Sequence, residues 1–107
     1  MAAAASRGPR ARARRAAPSA SVPLHVWTER AHHMGQLARG DQRWDVYLEI
    51  RPDEDHRTVW GRVHFTAGER HRESAWIFLE HAEKEVRERF NDFSAVELWA
   101  LLDGLAP

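Results

Sequence analysis

From Arg43 onward the chain alternates. In "RWDVYLEIR" Trp44, Val46, Leu48 and Ile50 are apolar, whereas Arg43, Asp45, Glu49 and Arg51 are charged, with Tyr47 among them. Successive side chains of a strand point to opposite faces, so this period of two predicts a half-buried strand. Pro52 and the acids of "PDEDHR" supply turn chemistry. "TVWGRVHFTA" repeats the pattern, with Val59, Gly61, Val63, Phe65 and Ala67 on one face. Thr58, Trp60, Arg62, His64 and Thr66 take the other. "AGER" predicts a tight turn with Gly68 at positive φ, and "ESAWIFLE" a third strand, apolar on both faces from Ala75 to Leu79.

The period then lengthens. Ala82, Val86 and Phe90 form one narrow stripe on an otherwise charged helix, whose acidic first turn suits the helix dipole. Ser94 and Glu97 form a capping-box pattern, after which Leu98, Leu101, Leu102 and Leu105 line one face and Gly104 marks the end. The fold class expected is α+β: a three-stranded antiparallel β-meander followed by two short C-terminal helices packed on one face. Its core should comprise Trp44, Val46, Leu48, Ile50, Val59, Val63, Phe65, Phe78, Val86, Phe90, Leu98, Leu101 and Leu102.

Register follows from the same pattern. A first hairpin centred in residues 52–57 pairs Ile50 with Val59, Leu48 with Gly61, Val46 with Val63 and Trp44 with Phe65. Across the opposite face Glu49 meets Trp60, Tyr47 meets Arg62 and Asp45 meets His64. A two-residue turn at Gly68-Glu69 sets Trp76 opposite Gly61, in the core, and Phe78 opposite Val59. A shift by one instead sends Ala75, Ile77 and Leu79 inward and puts Trp76 beside Trp60. The first is favoured, because Gly61 otherwise weakens its strand for no gain.

The N-terminal part is less regular. Residues 41–107 hold the β-β-β-α-α domain, and residues 22–40 a linker or short element. There Leu24 and Val26 alternate weakly around His25, and the spacing of Trp27, Ala31, Met34 and Ala38 allows a short helix, against which Gly35 counts. Residues 1–21 are Ala, Arg, Pro, Ser and Gly after Met1, too poor in large apolar side chains to offset the entropy of ordering, and read as a disordered tail. An export signal is excluded there, because no apolar region follows the arginines. A nucleic-acid-binding arm and an organelle transit peptide fit its composition. So does a third reading. Fifteen arginines against one lysine, with abundant alanine, suit a bacterial GC-rich genome, in which reading frames often run upstream of the true start. Met34 offers that start.

Charge changes the picture of partners. The net charge is zero, but residues 1–21 carry five arginines and no acid, while residues 40–107 carry nine basic and fifteen acidic residues, a balance of −6. The domain should repel nucleic acid on average and the tail attract it. Absence of cysteine removes disulfides, thiol nucleophiles and cysteine-zinc motifs and is compatible with the cytoplasm. No window has the run of apolar residues that a membrane-spanning helix needs.

Tyr47, Trp60, Arg62 and His64 share the sheet face away from the helices, and these four are the candidate binding residues. Aromatics with arginine are the composition of interface cores, so the function expected is a small non-enzymatic binding or accessory protein, engaging a protein partner or itself. The competing arrangement folds residues 22–38, with Trp27, over that face. The alternative function is single-stranded nucleic-acid binding through the sheet aromatics plus the Arg-rich tail. Asp45 and Glu49 on the same face oppose it, as does the lack of an RNP-like or GXXG signature. Catalysis would rest on His64 oriented by Asp45, with His71 or Glu73 close by. Ser74 lacks a histidine partner and so small a domain has little room for a deep pocket, so no catalytic residue is assigned. No metal site or cofactor is assigned either: His64 and His71 can approach each other across the turn, but two ligands make a weak site, and no HExxH spacing occurs. No stretch matches a family motif.

Overall fold

The computed structural model describes residues 27–107. The tail at 1–21 and the Leu24–Val26 alternation lie outside the described residues. After a 3-10 turn at Thr28–Arg30, the chain forms β1 (Ala31–Arg39), β2 (Gln42–Asp53), β3 (Thr58–Ala67), β4 (Arg70–Glu73) and β5 (Phe78–Glu80). Helices α1 (Glu83–Asn91) and α2 (Ala95–Asp103) follow. The α+β architecture expected from the pattern, an antiparallel sheet and then two C-terminal helices, is present. Among the described residues the sheet has five strands rather than three, ordered β1-β2-β3-β4, with β5 also paired to β3. Among the described residues no helix is long and apolar enough to cross a membrane.

The additional strand is β1, where the spacing allowed a helix. It pairs antiparallel with β2 and carries a bulge between His33 and Gly35. Before the bulge His33 lies opposite Tyr47, and after it Gly35 lies opposite Val46. Odd-numbered residues therefore change face halfway along the strand, which erases the period of two from the sequence. Gly35 takes φ 142, a conformation side chains disfavour. Leu37, past the bulge, is buried against the core.

The β2–β3 hairpin forms with its facing as expected and its register moved by two. Val46 pairs with Phe65, Leu48 with Val63 and Ile50 with Gly61. The cause is that β2 runs on through Pro52 and Asp53, moving the turn toward the C-terminus. A shift of two keeps every side chain on its face and changes only its partner.

The expected third strand is broken. Its first part, β4, keeps the register of a two-residue turn, with His64 opposite Glu73 and Ala67 opposite Arg70. The chain then leaves the ladder at Ser74, whose hydroxyl accepts the Val63 N–H at 2.9 Å and donates to the Ala75 carbonyl at 2.7 Å. It returns as β5 with Phe78, not Trp76, opposite Gly61. Trp76 thus misses the core and lies under the Arg62 guanidinium, 4.1 Å from ring centroid to Cζ. The gap left by Gly61 has a use: a Cβ there would stand 2.6 Å from Val86 Cγ1 and 3.2 Å from Phe78 Cβ. Gly61 lets α1 settle directly on the backbone of β3.

Val86 and Phe90 of α1 and Leu98, Trp99 and Leu102 of α2 close the core over Trp44, Val46, Leu48, Val63 and Phe65. Val59 and Leu101, expected inside, are only partly buried at its margin. The capping box of α2 is formed, with Glu97 N donating to Ser94 Oγ at 3.1 Å and Ser94 N to Glu97 Oε1 at 2.8 Å. Trp99 was not expected in the core; Arg39 lies over its ring at 3.9 Å and pairs with Asp103.

Candidate functional site

On the sheet face away from the helices the strands bring charged residues together. Glu49 of β2 lies opposite Arg62 of β3, and Tyr47 lies opposite His64, which in turn lies opposite Glu73 of β4. The two-residue register change brings Arg62, rather than Trp60, to Glu49. It also brings His64 to Tyr47, rather than to Asp45. Asp45 instead bonds His33 at 2.9 Å and Gln36 at 3.3 Å on β1, and these two contacts hold its carboxyl below the usual range. The His64–Asp45 pair weighed from the sequence does not form.

Glu49 takes Asp45's place. It is fully buried, and Oε1 accepts from Arg62 Nε at 2.8 Å and from His64 Nε2 at 2.7 Å, while Oε2 accepts from Arg51 Nε at 2.7 Å. Burial pushes its carboxyl up; the hydrogen bonds from His64 and Arg62, the Arg62 charge and the bond from Arg51 outweigh it and bring it to about 2. A buried carboxylate is tolerable only with such compensation. Arg62 reaches further, its Nη1 donating to Glu73 Oε2 at 3.2 Å.

His64 continues the chain of contacts. Its Nδ1 lies 2.8 Å from His71 Nε2. The ionised Glu49 can only accept, so Nε2 of His64 carries a proton; with His64 neutral, Nδ1 is the acceptor and His71 Nε2–H the donor. The rings lie edge to edge, since a 6° interplanar angle accompanies a centroid separation of 5.0 Å and that short N–N contact. Burial above all holds the His71 imidazole below its ordinary value.

Trp27 covers this pair. Its indole stacks on His64 at 4.0 Å and 6°, and on His71 at 5.1 Å and 2°, with Tyr47 edge-on at 5.3 Å. Trp27 thus closes this part of the face, as the competing arrangement weighed from the sequence had it, but Ala31–Ala38 extend the sheet as part of β1 instead of covering it, and residues 22–26 lie outside the described residues.

The four candidate binding residues do not meet on one open surface. His64 and Arg62 are buried, at 0% and 6% exposure. Tyr47 is half-buried against Trp27. Trp60 stands apart, toward the β2–β3 turn, where with Arg30, Arg51, Pro52, Asp53, Glu54 and Asp55 it lines an open cleft of about 530 Å³. Glu49, His71, Glu73 and Trp27 make up the rest of the polar cluster, and Glu49 and Trp27 were not among the sequence candidates. One signal was available: opposite charges at neighbouring cross-strand positions of one face. Only the correct register turns it into contacts.

Chemically, Glu49, His64 and His71 form a carboxylate–imidazole–imidazole chain that can orient and hold a proton. His64, His71 and Glu73 also each offer one ligand atom, all within 4.8 Å of one another. Ser74, spent on the Val63 and Ala75 backbone, supplies no nucleophile to this chain. No protein-family model, curated protein or solved structure matches the chain.

Proposed function

We propose that this protein is a small, non-enzymatic, cytoplasmic binding module that engages a protein surface through the Trp60 end of the second sheet face. The partner is another protein or a second copy of the chain. The observation that carries this reading is the pairing of Trp60 with Leu79 across β3 and β5, with Leu79 47% exposed and Ile77 42% exposed nearby in the chain. A tryptophan with aliphatic neighbours at the surface of a small domain is the composition of an interaction site. Asp53, Glu54 and Asp55 line the same cleft, which disfavours phosphate and so favours protein over single-stranded nucleic acid. Tyr47, Arg62 and His64 act in this reading as the support beneath the surface.

Sedimentation at several concentrations and recovery of partners from cell extract, with the wild-type chain and Trp60→Ala, test the reading. Association that weakens in Trp60→Ala while the fold is kept is expected. A chain that stays monomeric and recovers no partner, or a Trp60→Ala variant that associates as well as wild type, overturns it. Filter binding to single-stranded nucleic acid at two salt concentrations, with and without residues 1–33, assigns any nucleic-acid affinity to the tail or to the sheet.

A further inference from the structure

We propose that His64, His71 and Glu73 form a binding site for a divalent transition-metal ion of the zinc class. The backbone presents the three ligands from one rigid surface. His64 lies directly opposite Glu73 in the β3–β4 ladder, and His71 is two residues before Glu73 on the same strand, so all three share a face. His64 Nδ1 lies 2.8 Å from His71 Nε2 and 3.7 Å from Glu73 Oε1, and the three ligand atoms lie within 4.8 Å. An ion with bonds of about 2.0–2.1 Å in tetrahedral geometry holds neighbouring ligand atoms about 3.3 Å apart. The imidazole nitrogens, now facing each other head-on, therefore separate by about half an ångström and each ring turns by about 35° to aim its lone pair at the ion, while the carboxylate closes by about 0.4 Å on His64 and by up to about 1.5 Å on His71.

The surroundings orient each ligand. Glu49 accepts from His64 Nε2 at 2.7 Å, which fixes the tautomer with Nδ1 bare and facing the other two residues. A carboxylate behind the distal nitrogen of a ligating histidine is a recurrent feature of metal sites. Arg62 occupies Glu73 Oε2 at 3.2 Å and leaves Oε1 for the ion. Trp27 stacks parallel over both imidazoles and fixes their planes. Two imidazole nitrogens and one carboxylate oxygen suit zinc, cobalt(II), nickel or copper better than magnesium or calcium.

Charge decides the fourth ligand. The carboxylates of Glu49 and Glu73 balance the guanidiniums of Arg51 and Arg62 around the cluster. A dication added to this balance favours a hydroxide or an external carboxylate over neutral water. The Glu73 side chain, 30% exposed, leaves that position reachable from solvent. The site lies on the same face as Trp60 but does not depend on any protein contact there.

The test uses the full chain, free of any affinity tag and stripped with chelator, titrated with cobalt(II) chloride in a non-coordinating buffer. Visible d–d absorption saturating at one ion per chain, and bleached by zinc, is expected. His71→Ala and Glu73→Gln should each weaken binding by at least about tenfold, since loss of a ligand exceeds loss of a ligand's supporting partner. His33→Ala, at an exposed histidine outside the cluster, should bind as wild type. Circular dichroism identifies the variants that keep the fold; if His71→Ala loses it, Glu73→Gln carries the comparison. No cobalt spectrum with the ion in excess overturns the proposal. So does binding left unchanged by the substitutions, which would assign it to the other histidines.

Discussion

The indole of Trp27 lies parallel to the imidazole of His64, 4.0 Å between centroids and 6° between planes, and it is 7% exposed. A residue ahead of the first strand thus seals a buried charge cluster that spans three strands. Trp27→Ala removes this cover and lets water reach His64 and Glu49. Equilibrium urea unfolding should show a loss of about 3–5 kcal/mol, the range for truncating a buried large aromatic. A chain beginning at Met34 lacks Trp27 and also Ala31–His33 of β1, and should be less stable still. Unfolding of both at the wild-type urea concentration would show that the indole contributes no packing.

Gly61 and Val86 give a second test, because the approach of α1 to β3 leaves no room for a methyl group. Gly61→Ala forces a 2.6 Å contact with Val86 Cγ1 and should destabilise by about 1–3 kcal/mol, as overpacking does. The double variant with Val86→Ala removes the clash, so the two losses should add to more than the double variant shows. Strict additivity in denaturant titrations would place the strain elsewhere.

Phe65, fully buried between β2 and the helices, carries the facing of β3. Phe65→Ala should cost about 3–5 kcal/mol, a large share of the stability of so small a domain. A thermal melt unchanged by this substitution would contradict the facing.

Acid should unfold the chelator-treated protein through Glu49. Its carboxyl sits at about 2 in the fold, below the ordinary value near 4.3 of an unfolded chain. The unfolded state therefore binds more protons across that interval. The stabilisation is whole above pH about 4.3 and is lost as pH falls toward 2. His71, held below the ordinary imidazole value, acts in the same direction: its share is whole above pH about 6.5 and declines as pH falls through its folded value. Thermal melts between pH 8 and 2 should show both declines. Glu49→Gln should remove the lower one. It should also lower neutral-pH stability by about 3–5 kcal/mol, because Arg62 and His64 are left buried without their carboxylate.

The sequence by itself determined the elements that rest on local periodicity. Alternation placed Val46, Leu48, Val63 and Phe65 inward on β2 and β3. The Val86–Phe90 stripe marked α1, and Ser94 with Glu97 marked the start of α2. Strand facing depends only on a period of two, so it survived a register displaced by two residues. Tertiary structure decided the rest. The bulge before Gly35 reverses the phase of β1, so no single period describes that segment. Ser74 leaves the ladder to bond Val63, and this splits the third strand and hands the place beside Gly61 to Phe78. The charge cluster was least legible. Alternation assigns Glu49, Arg62 and His64 to the solvent face. Their burial needs partners from three strands and a cover from Trp27, contacts between residues far apart in the chain. Local pattern can say which way a side chain points; what it meets there depends on register and on the elements that fold over it.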